Sequence, residues 1–170
     1  MSHEALVVIA AIIFMSASIE AFSAVKPSND EGYKGWKKFN GYLYKVFVQN
    51  STWDEANKLC QEREANLASI HSREENDFIY GKSRYSKRVE LKTPTYEGFL
   101  WIGLKKEGDQ WKWSDDSPSD YTFWHPEEPN GGENENCAEL YNHLFFNGEW
   151  NDIPCDRTLR AYICKVKASE

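Results

Sequence analysis

Hydrophobic and polar positions along the chain follow two different rhythms. From Gly41 to Val48 (GYLYKVFV) aromatic and aliphatic residues alternate, which predicts a first strand. Between Thr52 and Arg63, Trp53, Ala56, Leu59 or Cys60, and Arg63 recur at helical spacing. Thr52 with Glu55 forms a capping-box signature that opens this helix. A second signature, Ser72 with Glu75, opens a second helix after the turn at His71, with Phe78 and Ile79 on its apolar face. Short strands follow: Phe99 to Leu104 (FLWIGL), the alternation Trp111-Lys112-Trp113, Cys137 to Phe146, and Leu159 to Lys165. Asn147-Gly148 is a strong hairpin signal, returning the chain through Glu149, Trp150, Asn151 and Asp152. Two helices followed by a run of short strands predict an α+β domain.

Two stretches fit neither rhythm. Residues 80–98 are polar and basic, and the cluster Lys82 to Lys92 is read as an exposed loop rather than an anion-binding patch. Residues 114–136 have almost no aliphatics, and inside them His125 to Cys137 reads HPEEPNGGENENC. A long stretch without secondary-structure signal inside a compact domain is usually functional or disordered. The flanking strands and the aromatics Tyr121, Phe123 and Trp124 favour function.

Ala5 to Met15 is an unbroken apolar run of eleven residues followed by small residues. It is shorter than the roughly 20 residues a membrane span needs and suits a secretory signal. Residues 1–24 are therefore expected to be a signal, cleaved between residues 18 and 24. A leader over 25–38, a domain over 39–166 and a tail over 167–170 follow. No second apolar stretch suits a membrane anchor, so a soluble, extracellular product is expected. The full chain carries a net charge of −7; without Glu4 and Glu20 the balance is 20 − 25 = −5. An acidic body repels phosphates and argues against a nucleic-acid partner.

Four cysteines, Cys60, Cys137, Cys155 and Cys164, predict two disulfides in an oxidising compartment, with three possible pairings. Their spacings of 77, 18 and 9 residues contain no CxxC pair, which disfavours structural zinc.

Trp101-Ile102-Gly103-Leu104, Glu128-Pro129-Asn130 and Trp150-Asn151-Asp152, framed by these cysteines, resemble a C-type lectin carbohydrate-recognition domain over roughly Phe39 to Val166. Each triplet alone is weak; the set in this order and spacing is specific. The resemblance implies two helices, short antiparallel sheets and a long calcium-binding loop region. It pairs Cys60 with Cys164 and Cys137 with Cys155. The extra N-terminal cysteine pair of some members is missing, which matches a short, single-domain form. The resemblance also implies a cis peptide before Pro129.

Ca²⁺ takes 6–8 oxygens from carboxylates, amide carbonyls and water. Mapped on the motif, Glu128, Asn130, Glu135, Asn151 and Asp152 are the expected ligands of one primary calcium. Three carboxylates at one place would repel one another without a cation, so the loop is expected to become ordered only with the ion. A sugar hydroxyl has one proton and two lone pairs. The same five residues are the expected carbohydrate site, with Asn130 and Asn151 donating to hydroxyls and Glu128 and Glu135 accepting from them. In similar lectins the order Glu-Pro-Asn goes with mannose-type sugars (mannose, glucose, N-acetylglucosamine, fucose). An auxiliary calcium is doubtful, because Lys106, Gly131 and Asn136 stand where ligands are usual; Glu107 and Asp109 compensate only in part. Rim contacts are expected from His125, His143, Phe145 or Phe146. The expected partners are glycans on microbial or host surfaces, and weak affinity for a single sugar makes a homo-oligomer useful.

Core packing is the plainer reading for Trp101, Trp111, Trp113 and Trp150. His71 and His143 are expected to face solvent. Asn50-Ser51-Thr52 is an N-glycosylation sequon that overlaps the helix cap. A glycosidase would need two carboxylates about 5–10 Å apart, available among Glu127, Glu128, Glu133, Glu135 and Asp152. The loop is polar and open, so nothing there would raise an acid's pKa, and no enzyme is expected. The remaining alternative is a protein-binding module of the same fold without sugar affinity.

Overall fold

Strand β8 (Leu159–Lys167) is the hub of the fold. In the computed structural model, which describes residues 30–81, 98–142 and 147–169, it pairs antiparallel with β2 (Tyr42–Ser51) and β3 (Asn66–Leu67), and parallel with β4 (Gly98–Glu107). The strands expected as short antiparallel sheets join into one sheet of order β1-β2-β8-β4-β6-β7. Its outer strands are β1 (Lys37–Phe39), β6 (Cys137–Asn142) and β7 (Trp150–Ile153), while β5 (Gln110–Trp113) pairs with β4 off this path. The parallel pairing is possible because a long stretch containing β5, β6 and β7 separates β4 from β8, while α1 (Trp53–Gln61) and α2 (Arg73–Tyr80) lie between β2 and β4.

Period-2 alternation sorts the strand residues between two cores. Leu100, Ile102, Leu104, Leu140 and Trp150 pack with Phe78 and Ile79 of α2. Trp101, Cys137, Ile153 and Tyr162 pack with Trp53, Ala56 and Cys60 of α1. Two buried indoles find distant backbone acceptors: Trp53 donates to the Ile102 carbonyl and Trp101 to the Ser51 carbonyl, each at 2.9 Å. Trp111 differs from the expectation of core packing, being only partly buried against the first cluster. Cys60 is joined to Cys164 and Cys137 to Cys155. The first bridge fastens α1 to β8; the second fastens β6 to the segment after β7.

The capping box of α1 is complete, with Thr52 accepting from the Glu55 N–H and Glu55 accepting from the Thr52 N–H. The box expected at α2 is half formed. Ser72 accepts from the Glu75 N–H at 3.1 Å, but the Glu75 carboxylate turns inward. It accepts from the His71 N–H at 2.8 Å, the Tyr44 hydroxyl at 2.5 Å and the Lys165 ammonium at 2.7 Å. Glu75 and Lys165 are both buried, so a long-range ion pair has outcompeted the local cap. Residues 1–24 and the basic cluster Lys82–Lys92 lie outside the described residues.

Candidate functional site

Asn151 and Asp152 sit on β7, the last strand of the sheet, whose position is fixed from three sides. On one edge the β6 ladder pairs Glu139 with Asn151 and Ala138 with Asp152. On the other edge the long loop is laced to β7: Trp150 N–H donates to the Phe123 carbonyl and His125 N–H to the Trp150 carbonyl, both at 2.8 Å. Beneath, Trp150 is fully buried among Trp113, Tyr121 and Trp124. Its indole N–H donates to Asn76 Oδ1 at 2.8 Å, and Asn76 Nδ2 donates to the Gly148 carbonyl at 3.0 Å. The Asn147-Gly148 turn takes left-handed φ values of 50° and 78°, and a Cβ on Gly148 would lie 2.9 Å from Tyr80 Cβ. Asn76 thus ties α2 to the floor of the site, a role that no local pattern signalled.

The acidic loop folds onto this platform. Asn130 N–H and Gly131 N–H donate to the two oxygens of Asp152, at 2.9 and 3.1 Å. The loop was expected to need an ion for its order, yet it carries these protein hydrogen bonds of its own. Glu128 and Pro129 are joined by the cis peptide that the resemblance implied. The Glu128 carboxyl lies close enough to that of Asp152 to feel it, and its Oε2 is buried with no partner. Burial first, then Asp152 and then the charge of Glu135, push the Glu128 pKa above the usual carboxylate range. Gly131 makes room for Glu135: a Cβ there would lie 2.2 Å from the Glu135 side chain.

A further acid completes the cluster. Glu139 is buried and accepts from Asn151 Nδ2 at 3.0 Å. Burial pushes its pKa up to about 7, against the lowering effects of the Asn151 hydrogen bond and the Arg157 charge, with Glu135 and Glu128 adding to the rise. Sequence reasoning passed over Glu139 as an ordinary strand residue; its place opposite Asn151 in the hairpin register was the available signal. The expectation that nothing here would raise an acid's pKa is corrected by Glu128 and Glu139. Both sit where a strand edge and a folded loop shut water out.

Glu128, Asn130, Glu135, Asn151 and Asp152 therefore lie on one edge of the sheet, with Asn130 exposed and Asp152 buried. His143, Phe145 and Phe146 lie outside the described residues. Among the described residues, no three Asp, Glu, His and Cys side chains are drawn together tightly enough to hold a metal ion. The donor set nevertheless fits a hard cation: oxygen groups, neighbouring carboxyls whose charges act on one another, and one buried oxygen without a partner. At the position of the doubtful auxiliary site, Lys106 Nζ donates to the Gly132 carbonyl at 3.0 Å, and Lys106 N–H to the Asn136 carbonyl at 2.7 Å. A resident ammonium spans that part of the loop.

His71, expected to face solvent, is largely covered, with 27% of its side chain exposed. Its ring nitrogens lie 3.1 Å from Ser117 Oγ and 3.2 Å from Asp120 Oδ1. That spatial order resembles a nucleophilic triad, but the Ser117 hydroxyl donates to Asp115 at 2.5 Å. With its one proton given to Asp115, the Ser117 oxygen can only accept from His71 Nε2, so the imidazole is not placed as its base.

The Lectin C-type domain family model matches residues 49–166, and the chain belongs to this family of binding modules. It is 35% identical over 140 residues to the alpha-N-acetylgalactosamine-specific lectin of Patiria pectinifera, covering 79% of each chain. A C-type lectin mannose-binding isoform of Oxyuranus scutellatus is 33% identical over 162 residues, covering 92% of this chain and 96% of that one. Among solved structures, the cow CD23 carbohydrate-recognition domain, crystallised in the presence of GlcNAc2Man3 oligosaccharide, superposes with a TM-score of 0.67 at 29% identity, covering 81% of this chain and 96% of that chain.

Proposed function

We propose that this protein is a secreted, calcium-dependent lectin for mannose-type glycans, including glucose, N-acetylglucosamine and fucose. The observation that carries the reading is the buried, unpartnered Oε2 of Glu128 in a loop whose Asn130 and Gly131 N–H groups bind Asp152. The charges of Asp152 and Glu135 both act on Glu128 there, as neighbouring ligands of one cation would. Glu128, Asn130, Glu135, Asn151 and Asp152 would hold one Ca²⁺. When bound, the ion supplies positive charge and open coordination positions for two neighbouring hydroxyls.

The remaining work falls to side chains. Asn130 and Asn151 donate to hydroxyl lone pairs, and Glu128 and Glu135 accept hydroxyl protons. Asn151 gives one amide proton to Glu139, which fixes the plane of its carboxamide and leaves the second proton for the sugar. Lys106 takes the place of an auxiliary ion, so a single calcium is proposed. Two relatives carry names with opposite sugar preferences, so the preference assigned here rests on this chain's own Glu128-Pro129-Asn130. Secretion rests on the apolar run near the N-terminus and the disulfides; no helix among the described residues is long and apolar enough to cross a membrane. Asn50 is exposed on β2 and is proposed as a glycosylation site, with homo-oligomers on microbial or host glycans supplying avidity.

The second reading is a protein-binding module of this fold without sugar affinity. It is favoured by the lack, among the described residues, of a tightly gathered carboxylate trio. Retention on mannose-agarose separates the two. The lectin reading predicts retention in Ca²⁺ and release by EDTA; no retention in Ca²⁺ supports the module.

A further inference from the structure

Beside the start of α2, a chain of hydrogen-bond donors closes on the first half of the long loop. Lys165 Nζ donates to Ser69 Oγ at 3.2 Å, and the Ser69 hydroxyl donates to Asp115 Oδ2 at 2.6 Å. From the other side, the Ser117 hydroxyl donates to Asp115 Oδ1 at 2.5 Å. Asp115 is the sink of the chain, and both serine protons are spent on it.

The protons of His71 follow from this accounting. Its Nε2 lies 3.1 Å from Ser117 Oγ, which has a lone pair to offer but no proton left. Its Nδ1 lies 3.2 Å from Asp120 Oδ1, and an ionised carboxylate only accepts. A neutral imidazole has one donor and satisfies one of these partners; an imidazolium has two and satisfies both. The charged groups around the ring admit that cation. Asp120 and Asp115 stand on the loop side, and Glu75 of α2 accepts the His71 backbone N–H at 2.8 Å. The ammonium of the network, Lys165 of β8, is already held by Glu75 at 2.7 Å. Trp113 of β5 meets the imidazole edge to face at 6.0 Å and brings no charge.

The loop half held here is the one that reaches the floor of the site. Asp120 is followed by Tyr121, whose ring meets Trp150 at 5.8 Å. The Phe123 carbonyl accepts the Trp150 N–H, and the His125 N–H donates to the Trp150 carbonyl. Trp150 directly precedes Asn151 and Asp152. Trp113, which touches His71, also meets Trp150, at 5.5 Å.

We infer that His71, as an imidazolium, is a positioning residue for the sugar site: it latches residues 115–120 of the long loop to the start of α2. The latch opens as pH rises through the range in which imidazole loses its proton, about 6.5 for a free side chain. The inference rests on the lectin reading. Its sign is opposite to that of ion release, since ligand carboxylates take up protons and let the cation go as pH falls. Sugar affinity is therefore limited on the acid side by the ligands and on the basic side by His71. Asp120 is 65% exposed, so the pair is a weak one and contributes about two- to threefold in affinity.

Titration of the full chain with methyl α-mannoside in saturating Ca²⁺, at about pH 6 and about pH 8.5, brackets the histidine range and tests this with two variants. Asp120→Ala removes the acceptor. It should bind about two- to threefold more weakly than wild type at the lower pH and equally at the higher, where the wild-type latch is open. Asp120→Asn carries both an acceptor and a donor and meets either form of the ring, so it should bind more tightly than Asp120→Ala at both values. Ratios between variants cancel the pH dependence of the calcium ligands. In ¹H–¹⁵N spectra at the lower pH, both His71 ring N–H protons should be visible, and the Nδ1 proton should vanish in Asp120→Ala. A ratio of wild type to Asp120→Ala that is the same at both pH values, or ring protons missing in wild type, overturns the latch and leaves the lectin reading intact. Failure of wild type to bind methyl α-mannoside at either pH overturns the lectin reading, and the positioning role with it.

Discussion

The Asn151 carboxamide donates to the Glu139 carboxylate at 3.0 Å, across the rung of the β6–β7 ladder on which the two residues are direct partners. Asn151 is thus held by a buried acid that itself has no place in the ligand set. Groups that orient metal ligands typically control affinity by about 10–100-fold. Glu139→Ala should therefore weaken both Ca²⁺ and methyl α-mannoside by about that range. Glu139→Gln, which keeps a side-chain oxygen opposite Asn151, should lose only a few-fold. Calorimetry on both variants checks this; equal losses for Ala and Gln would show that charge rather than orientation matters.

The pH dependence of the ion-free protein follows from the same acids. Glu139 rises from 4.5 to about 7, and Glu128 is also raised. An acid whose folded pKa is raised contributes stability that is fully present below its unfolded pKa and is lost as pH rises through the folded value. In EDTA, the melting temperature should therefore fall between pH 4.5 and 7. Acids with lowered pKa, such as Asp115, act below this window. Its burial alone would raise the pKa, but hydrogen bonds from Ser117 and Ser69 outweigh it. Excess Ca²⁺ should raise the melting temperature most at the upper end of the window, because ligand carboxylates must be deprotonated. Melting curves at stepped pH, with and without Ca²⁺, measure both trends; an ion-free melting temperature that climbs across the window contradicts them.

The roles assigned to Glu128 and Asn130 are separable from calcium binding. Exchanging acceptor and donor in Glu128→Gln with Asn130→Asp keeps one carboxylate and one carboxamide around Pro129. This double variant should keep a calcium affinity within about tenfold of wild type, while competition by galactose overtakes competition by mannose. Unchanged sugar preference with intact calcium binding would refute the assignment.

Away from the site, Glu75 and Lys165 form a buried pair at 2.7 Å, with Tyr44 and Ser69 completing their hydrogen bonds. Removing one partner of such a pair typically costs about 3–5 kcal/mol. Glu75→Ala should lower the unfolding free energy by that amount in denaturant titrations. Sugar affinity at temperatures where the variant is folded should be unchanged, since the pair is not among the proposed ligands.

Much of this fold was legible along the chain. Thr52 with Glu55, the spacing of Trp53, Ala56 and Cys60, and the Asn147-Gly148 turn are local signals, and each corresponds to the element it predicts. What was not legible depends on residues far apart in sequence. Glu75 looked like half of a local cap, but the Lys165 ammonium, 90 residues away, offered the stronger partner. His71 looked like an exposed turn residue until the loop at Ser117 and Asp120 folded over it. At the site, the motifs brought Glu128, Asn130, Asn151 and Asp152 to one edge, as the resemblance implied. Glu139 and Asn76 escaped notice because their functions are set by strand register and by the underside of Trp150. Neither leaves a periodic trace.

The central claim is that sugar binding passes through a calcium site built around Glu128 and Asp152. A glycan array probed with the full chain in Ca²⁺ and again in EDTA tests it most directly. The account predicts signal on glycans ending in mannose, glucose, N-acetylglucosamine or fucose, and loss of that signal on chelation. Signal confined to galactose-terminated glycans, signal that persists in EDTA, or no signal in either buffer would contradict it.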